Sequence, residues 1–291
     1  MSNAIEVSGL AKNFILPLTR RRVPALKDLS FSVKAGGLVG FLGANGAGKT
    51  TTLKIILRLI FADHGEVKIF GKNHNDLSVK NKIGFLTERP YFYDYLTGRE
   101  FLTFCAKIFK KKDILKRIDP LLEEVGLSHA ADRPLRRYSK GMLQRIGIAQ
   151  ALVNDPELLI LDEPMSGLDP DGRSEVSKII ASCNKRGVTV MFSTHLLPDV
   201  ETLCDRVIMI DHGKLIVESA VTDLLESQTK GFTLEIKKAG QNQNLSFNFE
   251  DDASLQAAID QARKEQSRII KVLPQRPSLE EVFLKLKGTG K

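Results

Sequence analysis

Cysteine is scarce in this chain. Only Cys105, Cys183 and Cys204 occur among 291 residues, and their scatter provides neither a disulfide framework nor a metal knuckle. Reduced, structural thiols are expected. Histidine is equally thin: five residues with no HxxxH or HxxE spacing, so no structural metal held by protein side chains is expected. No stretch approaches the roughly 18 to 20 uninterrupted apolar residues that a bilayer-spanning helix requires. The N-terminus also lacks the charged-then-apolar pattern of a secretory signal. A soluble protein that stays inside the cell is the expectation. Internal repeats and low-complexity tracts are absent as well.

What is present suits a globular protein. An apolar fraction of 42% over this length accommodates one large domain, or a core domain with a small appendage. The net charge is +8, and nearly all of the excess lies in the first 220 residues. It is spread rather than gathered into a stripe, so no specific nucleic-acid partner is expected. Two basic runs, "TRRR" at 19–22 and "KKK" at 110–112, read as solvated loop or helix-end charge.

Residues 5–39 show short apolar alternations around a basic loop, which predicts an antiparallel sheet. "GLVGFLG" follows as a buried strand, "KTTTLKIILRLI" as a helix with apolar residues at 53, 56, 57 and 60, and "GEVKIFGK" and "KIGFL" as strands. Helical periodicity then dominates 96–156, broken at Gly126, Pro134 and Pro156. Strand and helix alternation resumes with "LLILDEP", a helix near 172–186, "VTVMFSTH", a helix near 197–204, and "RVIMIDHGKLIVE" with a hairpin turn at HGK. That order predicts a mostly parallel sheet flanked by helices. From 221 onward, "GFTLEIKK", "LSFNFED", a polar helix at 253–266, "RIIKVLP" and "SLEEVFLKL" predict a small α+β unit.

"GANGAGKT" at 43–50 fits G-x-x-x-x-G-K-[ST] between a strand and a helix, the setting this phosphate-binding loop needs. Its glycines allow backbone N–H groups to face phosphate oxygens, and the helix N-terminus adds positive potential. Gly43, Ala44, Asn45, Gly46, Ala47, Gly48, Lys49, Thr50 and Thr51 are therefore the candidate nucleotide-binding residues. Lys49 would reach the β- and γ-phosphates, and Thr50 would offer its hydroxyl to Mg²⁺. "LLILDEP" is an apolar strand ending in Asp162 and Glu163; a parallel neighbour of the loop strand would deliver both beside the phosphates. Asp162 suits the Mg²⁺ shell, and Glu163 suits a general base or an orienter of the attacking water. "FSTH" brings His195 to the same rim, where it can contact a γ-phosphate.

This ordered set resembles the ATP-binding subunits of ABC transporters over about residues 5–220. Beyond the loop and the carboxylate pair, "SGLD" at 166–169 is similar to the family's D-loop, with Asp169 as its acid, and His195 is similar to the switch histidine. "YSKGMLQR" at 138–145 takes the place of the LSGGQ signature, and Phe14 takes that of the aromatic residue that stacks on adenine. The resemblance implies an α/β fold: a P-loop NTPase (RecA-like) core with an N-terminal antiparallel β subdomain and a helical insert, plus the small C-terminal α+β unit. The domains would be 1–220, with the helical subdomain at about 89–156, and an accessory 221–291. It implies ATP and Mg²⁺ as cofactors, Lys49, Glu163 and His195 as catalytic groups, and Thr50, Glu88 and Asp162 around the metal. Ser139, Lys140, Gly141 and Met142 would contact the ATP of the opposite subunit in a head-to-tail homo- or heterodimer. A separate transmembrane permease would do the transport, with this chain peripheral on the cytoplasmic face of the cell membrane.

Departures from the family pattern are specific. Tyr138, Lys140 and Met142 replace the Leu, the first Gly and the Gln of LSGGQ, so contacts through Ser139 and the backbone survive while a glutamine contact does not. The variant signature, "IGFLTERP" and "PSLEEVFLKL" resemble the exporter branch that serves drug, sodium and polysaccharide efflux. Glu88 stands at the Q-loop position, where glutamine is commoner, and a carboxylate there can still ligate a hard cation. Tyr91, Phe92, Tyr93 and Tyr95 behind it either face the permease or pack the junction of core and insert. A soluble ABC-type ATPase acting on ribosomes or nucleic acid is the alternative. It is disfavoured by a single P-loop and by the absence of a coiled-coil insertion before the signature.

Overall fold

The computed structural model describes residues 2–15, 20–109, 111, 113–226, 231–238, 244–275 and 277–288. Parts of the basic runs at 19–22 and 110–112 lie outside them. The chain divides into two compact units, Met1–Ser219 and Ala220–Lys291.

The first unit opens with β1 (Asn3–Ile15) and β2 (Arg22–Lys34), paired antiparallel. Ile5, Val7 and Leu10 of β1 and Leu29, Phe31 and Val33 of β2 are buried, and polar neighbours between them are more exposed. This alternation buries one sheet face and leaves the other wet. Next come β3 (Leu38–Leu42), the helix α1 (Lys49–Ile56), β4 (His64–Ile69) and β5 (Lys72–Asn73). The first sheet has the order β2-β1-β4-β5. "GEVKIFGK" is a hairpin rather than a single strand, because Phe70 and Gly71 both adopt positive φ, 49° and 74°, and reverse the chain. The helix after the glycine loop is also shorter than its periodicity suggests. Arg58 sits at φ 58°, a left-handed conformation that cannot continue the helix, so Leu57 caps it.

After the single turn α2 (Leu77–Lys80) and strand β6 (Ile83–Leu86) comes the helical insert: α3 (Gly98–Ile108), α4 (Ile118–Glu124) and α5 (Lys140–Leu152). A capping box starts α3, with the Thr97 hydroxyl accepting from the Glu100 N–H and the Glu100 carboxylate accepting from the Thr97 N–H; such reciprocal bonds satisfy two orphan donors. Gly126 at φ 67° follows the end of α4, and α5 stops ahead of Pro156.

The remaining strands are β7 (Leu158–Asp162), β8 (Thr189–Thr194), β9 (Arg206–Asp211) and β10 (Lys214–Ala220), with α6 (Pro170–Lys185) and α7 (Leu197–Leu203) between them. They form a six-stranded sheet of order β10-β9-β3-β8-β7-β6, in which β6, β7, β8, β3 and β9 run parallel. β10 returns through His212 and Gly213, both at positive φ, as a two-residue hairpin requires. Every residue of β3, β7 and β8 is buried, the mark of a sheet covered on both faces. On one face Phe41, Ile160, Met191 and Ile208 join α1 and the first sheet in a common core; a fully buried side chain of this size contributes about 1.5–3 kcal/mol. On the other, a side chain at Gly40 would collide with Val200 of α7. Parallel pairing sends the carboxyl ends of β3, β6, β7 and β8 to one edge, where α/β sheets bind ligands.

The second unit contains α8 (Val221–Glu226), β11 (Phe232–Lys237), β12 (Leu245–Phe249), α9 (Asp252–Lys264), β13 (Arg268–Pro274) and α10 (Leu279–Gly288). Its sheet has the order β12-β11-β13, antiparallel throughout. Leu234 and Ile236 pack against Leu255 and Ala262 of α9.

Candidate active site

The glycine loop joins β3 to α1 with no side-chain cap and no acid in the first turn of the helix. Its leading N–H groups are thus free of the usual internal competitors for an anion. Three glycines are needed by shape. A side chain at Gly43 would meet the Ile210 carbonyl, and one at Gly48 would meet Leu26 and the Ala25 carbonyl; Gly46 and Gly48 also hold φ of 81° and 108°. The hairpin tip clamps the loop from outside: the Gly213 N–H donates to the Ala47 carbonyl at 2.9 Å, and the Gly213 carbonyl accepts from the Lys27 N–H at 2.8 Å.

Lys49 is buried and points inward, donating to the Gly43 carbonyl at 2.7 Å. Its Nζ also lies 3.2 Å from Glu163 Oε1, and Glu163 Oε2 lies 2.9 Å from His195 Nδ1. One carboxylate therefore bridges the lysine and the imidazole. Glu163 reaches this place from a left-handed backbone at φ 51°, a conformation that costs about 1–2 kcal/mol for a side-chain-bearing residue. Two bonds hold it there: the Glu163 N–H donates to the Ser193 carbonyl at 3.2 Å and to Ser193 Oγ at 2.9 Å.

Asp162 is buried directly opposite Ser193 in the ladder. Its Oδ1 accepts from Ser193 Oγ at 2.5 Å and from Thr50 Oγ1 at 3.4 Å. Burial holds the Asp162 carboxyl above the usual range; the two hydroxyls pull it down, and the charges of Glu88 and Glu163 push it further up. Such a carboxylate gains most from a nearby cation.

A cavity of about 370 Å³ collects Ala44, Asn45, Gly46, Gly48, Lys49, Thr50 and Thr51 with Glu88, Glu163 and His195. Gly43 and Ala47 stand behind it as the folded base of the loop. Ala25 also lines it, unmarked by its residue type, as does Ser166, the first residue of "SGLD". Ser193 is the clearest residue that sequence reasoning passes over: it sits inside an apolar strand, and the only signal is its position two residues before His195. Glu88 is exposed, with its carboxylate 3.7 Å from Arg89 Nε.

Phe14, Asp169 and the signature residues do not line this cavity. Phe14 is 43% exposed near the end of β1. Asp169 caps α6, accepting from the Gly172 N–H at 2.9 Å. Ser139 caps α5, accepting from the Met142 N–H at 3.2 Å, so Lys140, Gly141 and Met142 form the first turn. The ammonium of Lys140 occupies the space beside Gly167 that a side chain there would need. Tyr138 is buried and donates to the Ala130 carbonyl at 2.7 Å, while its hydroxyl fills the space over Gly98. The tyrosine thus fastens the signature to the start of α3.

The aromatic run divides. Phe92 packs edge-on against Phe101, with centroids 5.3 Å apart, and belongs to the junction of core and insert. Tyr91, Tyr93 and Tyr95 are 87%, 42% and 64% exposed, and Tyr93 meets Phe104 edge-on at 5.7 Å.

Residues 26–166 match the family described as ABC transporter. An ABC transporter ATP-binding protein of Synechocystis sp. is 41% identical over 301 residues, covering 98% of this chain and 84% of its own. The bacitracin transport ATP-binding protein BcrA of Bacillus licheniformis is 38% identical over 314 residues, covering 100% of this chain and 99% of its own. A solved dimeric ATP-binding cassette in a post-hydrolysis state, bound to ADP and Pi, has a TM-score of 0.68 and 27% identity, covering 75% of this chain and 98% of that one.

Proposed function

The chain belongs to the ABC transporter family as an ATP-binding subunit and ATPase, and on that premise we propose that it powers a separate membrane permease of the exporter type, using Mg²⁺-bound ATP held between two subunits. The observation that carries the reading is the convergence of Lys49, Thr50, Glu163 and His195 on one cavity, with Asp162 joined to it through its bond with Thr50. Residues 1–220 would carry this chemistry, since every candidate side chain lies there, and 221–291 would form an accessory domain.

The phosphate loop binds by its backbone N–H groups, while Lys49 exchanges the Glu163 carboxylate and loop carbonyls for phosphate oxygens. Thr50 and Asp162 fit a hard divalent cation, because both present oxygen and Asp162 is a buried carboxylate pushed toward protonation by its surroundings. Thr50 and Asp162 would hold the cation with two protein oxygens, and Glu88 lines the same cavity, so the rest of the shell would have to come from outside the protein. When bound, Mg²⁺ would neutralise charge on the phosphates. Glu163 then accepts a proton from the water whose oxygen attacks the γ-phosphorus, as the bond to ADP breaks. His195 holds the carboxylate from its other side.

Ser139 and the first turn of α5 would come from the opposite subunit, giving the γ-phosphate a capped helix N-terminus with Lys140 at its head. This arrangement explains why these residues and Asp169 stay outside the cavity of a single chain. Among the described residues no helix is long and apolar enough to cross a membrane, and the exposed tyrosines offer a face to the permease on the cytoplasmic side. Glu163→Gln should slow hydrolysis about 100-fold or more and accumulate an ATP-dependent dimer on a sizing column. A variant that remains monomeric with ATP would contradict the dimer reading.

A further inference from the structure

Phe14 comes at the end of a strand whose pairing with β2 is irregular, with register shifts between Leu10 and Lys12 and between Lys12 and Asn13. The ladder is broken just ahead of Phe14 and resumes with Asn13, Phe14 and Ile15 opposite Pro24, Val23 and Arg22, so the break falls where Lys12 and Asn13 lead into the ring. A second restraint comes from Asp63, 50 residues away from Asn13 in the connection from α1 to β4. Its Oδ2 accepts from the Asn13 N–H at 2.7 Å and from the Asn13 amide at 3.2 Å, and its Oδ1 accepts from Lys12 Nζ at 2.9 Å. The Asp63 N–H donates in return to the Ala11 carbonyl at 2.9 Å. Lys12 Nζ lies over the Phe14 ring, 5.8 Å from its centroid, within the range of a cation–π contact.

Three features make this more than a surface ion pair. The carboxylate serves a backbone donor, an amide and an ammonium at once, and such charge-assisted bonds are stronger than neutral ones. These bonds, with the Lys12 hydrogen bond foremost, lower the Asp63 pKa to about 2, in keeping with a carboxylate held by three donors. Finally, Asp63 follows the helix that the phosphate loop begins. It therefore connects the stretch just before Phe14 to the element that starts at Lys49.

We propose that Asp63 is a positioning residue for base recognition: through Asn13 and Lys12 it sets the Phe14 ring at a fixed distance from the phosphate loop. Lys12 stands over the ring, and a purine would stack on the part of Phe14 that is exposed. The proposal rests on the reading that Phe14 stacks on the base. Positioning the ring in advance removes part of the ordering cost of binding.

The test uses the full chain and two probes, ADP and inorganic tripolyphosphate, which shares the phosphates but lacks the base. Phe14→Ala is expected to weaken ADP about tenfold or more and to leave tripolyphosphate unchanged. Asp63→Ala should weaken ADP about three- to tenfold, again without changing tripolyphosphate. Asp63→Asn keeps an acceptor for Asn13 but loses the ion pair, and should fall between Asp63→Ala and the native chain. Equal losses for both probes, or native ADP affinity in Asp63→Ala, would overturn the proposal. Native ADP affinity in Phe14→Ala would overturn the stacking reading beneath it.

Discussion

The rim around Lys49 and the rings around Tyr93 belong to the same compact unit, yet they stand in opposite relations to water. At the rim, Lys49, Asp162 and Glu163 are 6%, 1% and 8% exposed, and each is bonded to a different element of the fold. In the ring cluster, Tyr91 and Tyr95 stand mostly in solvent, and the contacts of Tyr93 include Tyr91, Tyr95 and Phe104. Burial strengthens every charge interaction but requires that each charge keep a partner. Exposure does the reverse: it leaves apolar surface to be covered by something else. On the proposed reading the rim serves the chemistry, and the rings serve contact with the permease.

Substitutions can break this contrast, and the largest effect is expected at its centre. Lys49→Ala removes the ammonium that bridges the loop carbonyls and Glu163, so ATP affinity should fall at least about 100-fold, as read by calorimetric titration. Next is Ser193→Ala. It deletes the hydroxyl that accepts from the Glu163 N–H and donates to Asp162, and should lower the hydrolysis rate about tenfold while ADP affinity stays nearly native. An equal loss of ADP binding would show that Ser193 supports the loop rather than the carboxylates. The smallest effect belongs to the rings: a Tyr91→Ala, Tyr95→Ala double variant should hydrolyse ATP within about twofold of the native rate when isolated, because exposed side chains contribute little to the fold. Stimulation by the permease in vesicles should be lost. A slow isolated variant would merge the two regions that the structure separates.

The comparison also explains which parts of the molecule could be read in advance. The places of the glycine loop, Asp162 and Glu163 are legible because each follows an unbroken apolar run, and that of His195 because it ends a strand; parallel strands deliver these ends to one edge. The bridging of Lys49 and His195 by Glu163 is not legible, since it depends on a left-handed φ that residue type does not announce. Ser193 is hidden for a different reason: a small polar residue inside a buried strand looks like ordinary filler until its opposite number in the ladder is known. Asp63 is hidden by distance along the chain. The end of α1 is masked in the sequence because "LRLI" prolongs the apolar period past Ile56, and only the turn at Arg58 stops it. Tyr138 reads as a departure from a signature, whereas in the fold it anchors that signature to Ala130.

The dimer assignment is the centre of this account, and mixing two defective chains tests it most directly. Lys49→Ala spoils the phosphate loop and spares the signature, while Ser139→Arg spoils the signature and spares the loop. In a head-to-tail dimer each variant alone has two damaged sites, but a mixed dimer regains one intact pairing of loop and signature. The expected result is ATP hydrolysis by the mixture well above the sum of the two variants measured separately. Activity equal to that sum would contradict a site shared between subunits.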